Sequence, residues 1–129
     1  MDYKLNLDWQ SFLESHWQKR PLLIKNGFSG FVDPLSPDEL AGLAMEDEVD
    51  SRLVSCQDGQ WGVKHGPFEH FEGLGDKDWS LLVQAVDHWH FPSAALMKPF
   101  RVLPDWRIDD LMISYSVPGG GVGPHLDQY

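Results

Sequence analysis

The sequence holds one cysteine, Cys56, and therefore no internal disulfide. A lone thiol suits a reducing compartment, and nothing around Cys56 offers a base to activate it, so a half-buried, inert thiol is expected. No run approaches the roughly 18 apolar residues of a membrane-spanning helix. Met1-Asp2-Tyr3-Lys4 lacks the basic-then-apolar pattern of a secretory leader. Together these absences predict a cytoplasmic protein with no membrane partner. Basic residues are scarce: 10 Lys and Arg against 20 Asp and Glu, a formal charge of −10. Phosphate backbones are gripped by clustered Lys and Arg, so direct nucleic-acid binding is not expected, whereas a basic protein partner would be steered inward. The deficit is local. Between Lys25 and Arg52 there is no basic residue, yet Asp33, Asp38, Glu39, Glu46, Asp47, Glu48 and Asp50 fall there. A solvated face that aids solubility accounts for this as well as a docking surface does. Repeats, low-complexity tracts and linkers are missing too, so the 129 residues read as one domain.

What is present is an α+β pattern. Tyr3 to Leu7 alternates as a short strand. Asp8 can cap a helix whose apolar face is Trp9, Phe12, Leu13, His16 and Trp17, with Lys19-Arg20 near its end and Pro21 stopping it. His16 reads as a core-edge residue. Pro21 to Lys25 reads as a short buried strand. Ser36-Pro37-Asp38-Glu39 is a capping box with proline in the first helical position, opening a helix that buries Leu40, Leu43 and Ala44. Ser51 to Cys56 and Gln60 to His65 flank Asp58-Gly59, a β-hairpin signature. Trp79, Leu82, Val83 and Val86 lie at i, i+3, i+4 and i+7, predicting a helix capped by Asp76 or Asp78. His88-Trp89-His90 resembles a chelate, but residues two apart diverge on a helix. Pro92 opens a further helical turn that Pro99 kinks or ends.

Asp109 to Val117 predicts the clearest strand. Asp110, Met112, Ser114 and Ser116 share one face, polar yet free of Lys and Glu, as a cavity lining would be; an ordinary solvated face fits as well. Leu111, Ile113, Tyr115 and Val117 share the other. Pro118 and the glycines then turn the chain into a second extended run carrying His125-Leu126-Asp127. In a strand, residues two apart face together, roughly 6–7 Å apart. His125 and Asp127 could so supply two corners of the 2-His-1-carboxylate triad that holds non-haem Fe(II). A surface histidine and a loop aspartate are the plainer reading of the same residues, and the sequence has no good candidate for the third corner. Tyr129 ends the sequence in mid-strand, so a longer protein is expected.

The succession of Asp-Leu-Met-Ile-Ser-Tyr at 110–115 and Pro-Gly-Gly-Gly-Val-Gly-Pro-His-x-Asp-Gln-Tyr at 118–129 resembles the JmjC-type 2-oxoglutarate oxygenases of the cupin superfamily. Within them it looks most like the bacterial ribosomal oxygenases that hydroxylate an arginine of a large-subunit ribosomal protein. The resemblance covers 1–129 as the N-terminal part of such a domain. It implies helices and a hairpin leading into the first strands of a double-stranded β-helix, truncated after the His-x-Asp strand. Implied cofactors are Fe(II) and 2-oxoglutarate, with His125 and Asp127 as the first two iron ligands. The third ligand and the cosubstrate's carboxylate clamp are expected beyond Tyr129, so the polypeptide alone should be inactive and the complete protein, which the resemblance allows to be a homodimer, an oxygenase. Asp110, Met112 and Tyr129 suit an arginine substrate through carboxylate pairing, apolar contact and stacking. Ser114 and Ser116 could hydrogen-bond the cosubstrate. Two other functions fit the same residues: a non-catalytic cupin-like module that recruits basic ribosomal proteins, and a metal cupin of another reaction type.

Overall fold

The computed structural model describes residues 2–127. A two-stranded antiparallel ribbon joins β1 (Lys4–Leu5) to β2 (Phe28–Ser29). A four-stranded antiparallel sheet in the order β4-β3-β5-β6 joins β3 (Ser51–Gln57), β4 (Gln60–His65), β5 (Trp79–Val83) and β6 (Ile113–Ser116). Helices α1 (Trp9–Ser15), α2 (Pro37–Ala44) and α3 (Val86–Trp89) and 3-10 segments at Phe91–Phe100 and Asp105–Arg107 complete the chain.

The helix starts follow from their caps. Asp8 accepts from the Ser11 amide at 3.1 Å. Past Ser15 the chain tightens into turns, where Lys19 donates to the Glu14 carbonyl and Arg20 to that of Ser15, satisfying helix-end acceptors. His16 is half-buried and stacks on Phe12, as a core-edge residue should. At α2 the Ser36 hydroxyl accepts from the Glu39 amide at 3.1 Å and the Ser36 amide donates to Glu39 Oε1 at 3.0 Å. That amide holds the Glu39 carboxyl below the usual glutamate range; partial desolvation opposes the effect, and His90 at 3.3 Å adds to it. The carboxylate's contribution is thus present above the ordinary glutamate range and fades as pH falls through the lowered value. Ser36→Ala should cost about 1 kcal/mol in urea unfolding; an unchanged midpoint would show that packing alone holds α2.

The sheet has two faces. On one, Leu53, Leu81, Val83 and Ile113 meet Leu40 and Ala44 of α2 in the hydrophobic core. On the other, register aligns Val63, Val54, Ser80 and Ser116 in one row and His65, Arg52, Leu82 and Ser114 in the next. The β3–β4 hairpin turns where expected, with Asp58 and Gly59 both in the left-handed region, at φ 54° and 76°.

Three expectations fail. Residues 79–83 form a strand, not a helix. Hydrogen bonding to both β3 and β6 makes β5 a central strand, whose near-continuous apolar run imitates one helix face. Asp78, expected to cap that helix, instead lies at φ 66° and donates its amide to the Pro118 carbonyl at 2.8 Å. Pro21 to Lys25 is not a buried strand, and Leu23 is 83% exposed; among the described residues the run has no pairing partner. The strand expected at 109–117 shrinks to Ile113–Ser116, because β5 ends at Val83 and the chain bends at Ala85 into α3.

Candidate metal centre

The site begins where β6 ends. The Val117 amide donates to the Trp79 carbonyl at 3.3 Å, and the Gly120 amide to the Val117 carbonyl at 2.8 Å, closing a turn against the start of β5. A side chain at Gly120 would collide with the Trp79 carbonyl and come within 2.8 Å of Ser80 Oγ, so only glycine lets the loop approach this closely. The loop then reaches Trp61 on β4, at the opposite edge of the sheet, and turns at Gly123, whose φ is 74°.

Residues 117–127 are not a strand, which corrects the expected His-x-Asp strand. The loop nevertheless brings the two side chains together, more closely than strand geometry would: His125 Nε2 lies 3.2 Å from Asp127 Oδ1. His125 Nδ1 lies 2.9 Å from the Gly123 carbonyl. A carbonyl only accepts, so Nδ1 carries a hydrogen and Nε2 is the nitrogen turned toward the carboxylate. A neutral imidazole would then set a lone pair against an anion. A cation held between them satisfies both groups. Two donors each about 2.1 Å from one ion and at right angles lie roughly 3 Å apart, so the pair fits a divalent transition metal. The two side chains are 52% and 73% exposed. Among the described residues no third histidine, cysteine or carboxylate joins them to complete a metal-binding group. The triad is therefore incomplete here. His90 is engaged elsewhere, with Ser93 Oγ at 2.7 Å and Glu39 at 3.3 Å, while His88 lies 3.5 Å from Asp87; the apparent chelate is none.

Asp110 is half-buried and accepts from the Gln84 side-chain amide at 2.9 Å. The next residue, Leu111, accepts at its carbonyl from the Val86 amide and donates its own amide to Asp87 at 3.0 Å. Side chains thus hold 110–111 where the sheet ladder has stopped. Met112 is exposed, its sulfur 3.9 Å from an Arg52 nitrogen. Ser114 and Ser116 lie on the open sheet face; Ser116 Oγ is 2.7 Å from Ser80 Oγ, whereas Ser114 is exposed. Tyr129 lies outside the described residues. Sequence reasoning missed Gln84, Asp87 and Trp61, each of which acts on a residue at least 24 positions away; no local periodicity marks such partners.

Comparison with known proteins places the chain among related sequences and structures. Residues 95–129 match the JmjC domain family. The chain is 74% identical over 129 residues to the ribosomal protein uL16 3-hydroxylase of Escherichia coli (strain K12), covering 100% of this chain and 35% of that protein. It is 39% identical over 121 residues to a probable ribosomal oxygenase of Haemophilus influenzae, covering 92% of this chain and 30% of that one. A solved ribosomal oxygenase from Escherichia coli in complex with cobalt and 2-oxoglutarate superposes with a TM-score of 0.96 at 74% identity, over 99% of this chain and 36% of that one. This chain spans about a third of the length of the relatives it matches. The α+β architecture is that of the corresponding part of these structures, and the JmjC resemblance holds.

Proposed function

We propose, from the JmjC match and the 74% identity to a uL16 3-hydroxylase, that the full-length protein is an Fe(II)- and 2-oxoglutarate-dependent oxygenase acting in the cytoplasm. Its substrate is an arginine of a basic large-subunit ribosomal protein. The observation that carries the reading is the 3.2 Å approach of His125 Nε2 to Asp127 Oδ1, with Nδ1 tied back to Gly123.

His125 and Asp127 would hold the iron. Iron and 2-oxoglutarate, when bound, would put dioxygen to use, one of its oxygen atoms going to a substrate C–H bond and the other to the cosubstrate, which leaves as succinate and CO₂. The chain's own residues do the positioning. Asp110, steadied by Gln84, keeps its second oxygen free to accept from a guanidinium, and Met112 offers the aliphatic stem a soft apolar wall. Tyr129 would stack on the guanidinium plane. Ser114, exposed beside Leu82, can donate to the cosubstrate, and Ser116 can do so while keeping its bond to Ser80. The exposed acidic residues from Asp33 to Asp50 would steer a basic partner toward the protein. A purely recruiting module would need that charge and not the imidazole–carboxylate pair.

Asp110→Asn keeps the shape and removes the charge. It should raise KM for an arginine peptide about tenfold, the cost of one charge-assisted hydrogen bond, with kcat little changed. Succinate release at varied peptide concentration measures this. An unchanged KM would place the guanidinium elsewhere.

A further inference from the structure

Trp61 stands apart from the metal pair yet touches the loop that presents it. It lies on β4, an edge strand, while the loop leaves β6 at the opposite edge. A methyl group built on Gly123 would sit 3.2 Å from indole Cε2 and 3.3 Å from Cδ2 and Nε1. One built on Gly121 would lie 3.5 Å from Cη2. The glycine backbone thus lies close to the indole at both positions, and at Gly123 a Cβ would be tight enough that the ring would have to give by a few tenths of an ångström. Gly123 also adopts φ 74°, which a residue with a Cβ rarely takes. Its carbonyl is the group that His125 Nδ1 meets at 2.9 Å.

We propose that Trp61 is a positioning residue for the metal pair: its indole fixes the Gly123 peptide, and that carbonyl holds His125 as the Nδ1–H tautomer with Nε2 free beside Asp127. The inference rests on reading His125 and Asp127 as metal ligands. A histidine ligand needs its second nitrogen tied down, or the ring turns and the tautomer mixes. In this loop the tether is a peptide carbonyl with no strand ladder behind it. Something else must set that carbonyl's direction, and the flat, rigid face of Trp61 is what the loop leans on. Trp61 remains 45% exposed, so its packing against the loop accounts for an aromatic ring that an edge strand would otherwise leave in water.

The test uses full-length protein and cobalt(II), followed by its visible absorption. Ring-¹⁵N NMR of the protein loaded with diamagnetic zinc(II) reads alongside which His125 nitrogen carries the hydrogen. Trp61→Leu should weaken cobalt binding about tenfold, the lower end of effects seen behind a ligand, and should mix the His125 tautomers. Trp61→Phe, which keeps a flat ring, should restore most of the affinity and the Nδ1–H form. Val63→Ala changes the neighbouring exposed residue on the same strand face and should alter neither readout. The inference is overturned if Trp61→Leu keeps both the tautomer and the affinity, or if Val63→Ala loses as much as Trp61→Leu does. Cobalt binding that survives His125→Ala would instead overturn the metal-ligand reading itself.

Discussion

His125→Ala, and separately Asp127→Ala, should each remove cobalt(II) binding and arginine-peptide hydroxylation from the full-length protein together, by at least about a hundredfold. Losing a residue that merely supports a ligand already costs about 10–100-fold, and these two are proposed to be ligands themselves. The fold should survive. Both side chains are more than half exposed, and among the described residues their polar contacts are with each other and with the Gly123 carbonyl. Thermal midpoint and far-UV circular dichroism should therefore match the parent while the metal signal vanishes. Full turnover by either variant would remove these residues from the chemistry and discard their assignment as iron ligands.

Gly120→Ala should damage both stability and the metal site, because the Cβ has nowhere to go. It would meet the Trp79 carbonyl, Ser80 Oγ at 2.8 Å and the Val117 carbonyl at 2.9 Å, two of them backbone atoms inside a hydrogen-bonded turn. Backbone cannot swing aside as a side-chain tip can, so the loop must lift off β5. Overpacking of this kind costs about 1–3 kcal/mol, and the lifted loop would no longer deliver His125 and Asp127 to one ion. Gly121→Ala is the internal comparison. Its nearest neighbour is the rim of Trp61 at 3.5 Å, ordinary contact distance, so denaturation and cobalt titration should find it near the parent. Equal behaviour of the two variants would show that the loop is not clamped on β5.

The elements legible in the sequence are those whose cause lies within a few residues. Ser36 and Glu39 satisfy each other's amides across one helical turn, and Asp8 does the same for α1. Asp58-Gly59 adopts the left-handed pair that closes the hairpin. The Gly-rich run before His125 and the His-x-Asp pair were also visible, but as the wrong local structure. An extended run would set the two side chains parallel; the loop instead folds them to 3.2 Å. Residues 79–83 failed for the opposite reason. Their apolar spacing satisfies a helix face as well as a doubly buried strand, and only pairing with β3 and β6 decides between them.

The sequence by itself determined the donor types, the glycines that permit a tight approach, the helix starts and the acidic surface, because each depends on side-chain chemistry or short-range spacing. Tertiary structure alone decided that β5 is the inner strand and that Gln84 and Asp87 hold residues 110–111. It alone brought the loop bearing His125 onto Trp61. Those contacts join residues from 24 to more than 60 positions apart. Such pairings form only when the whole sheet closes, since the entropy of bringing distant segments together is recovered through many contacts at once and through none of them singly.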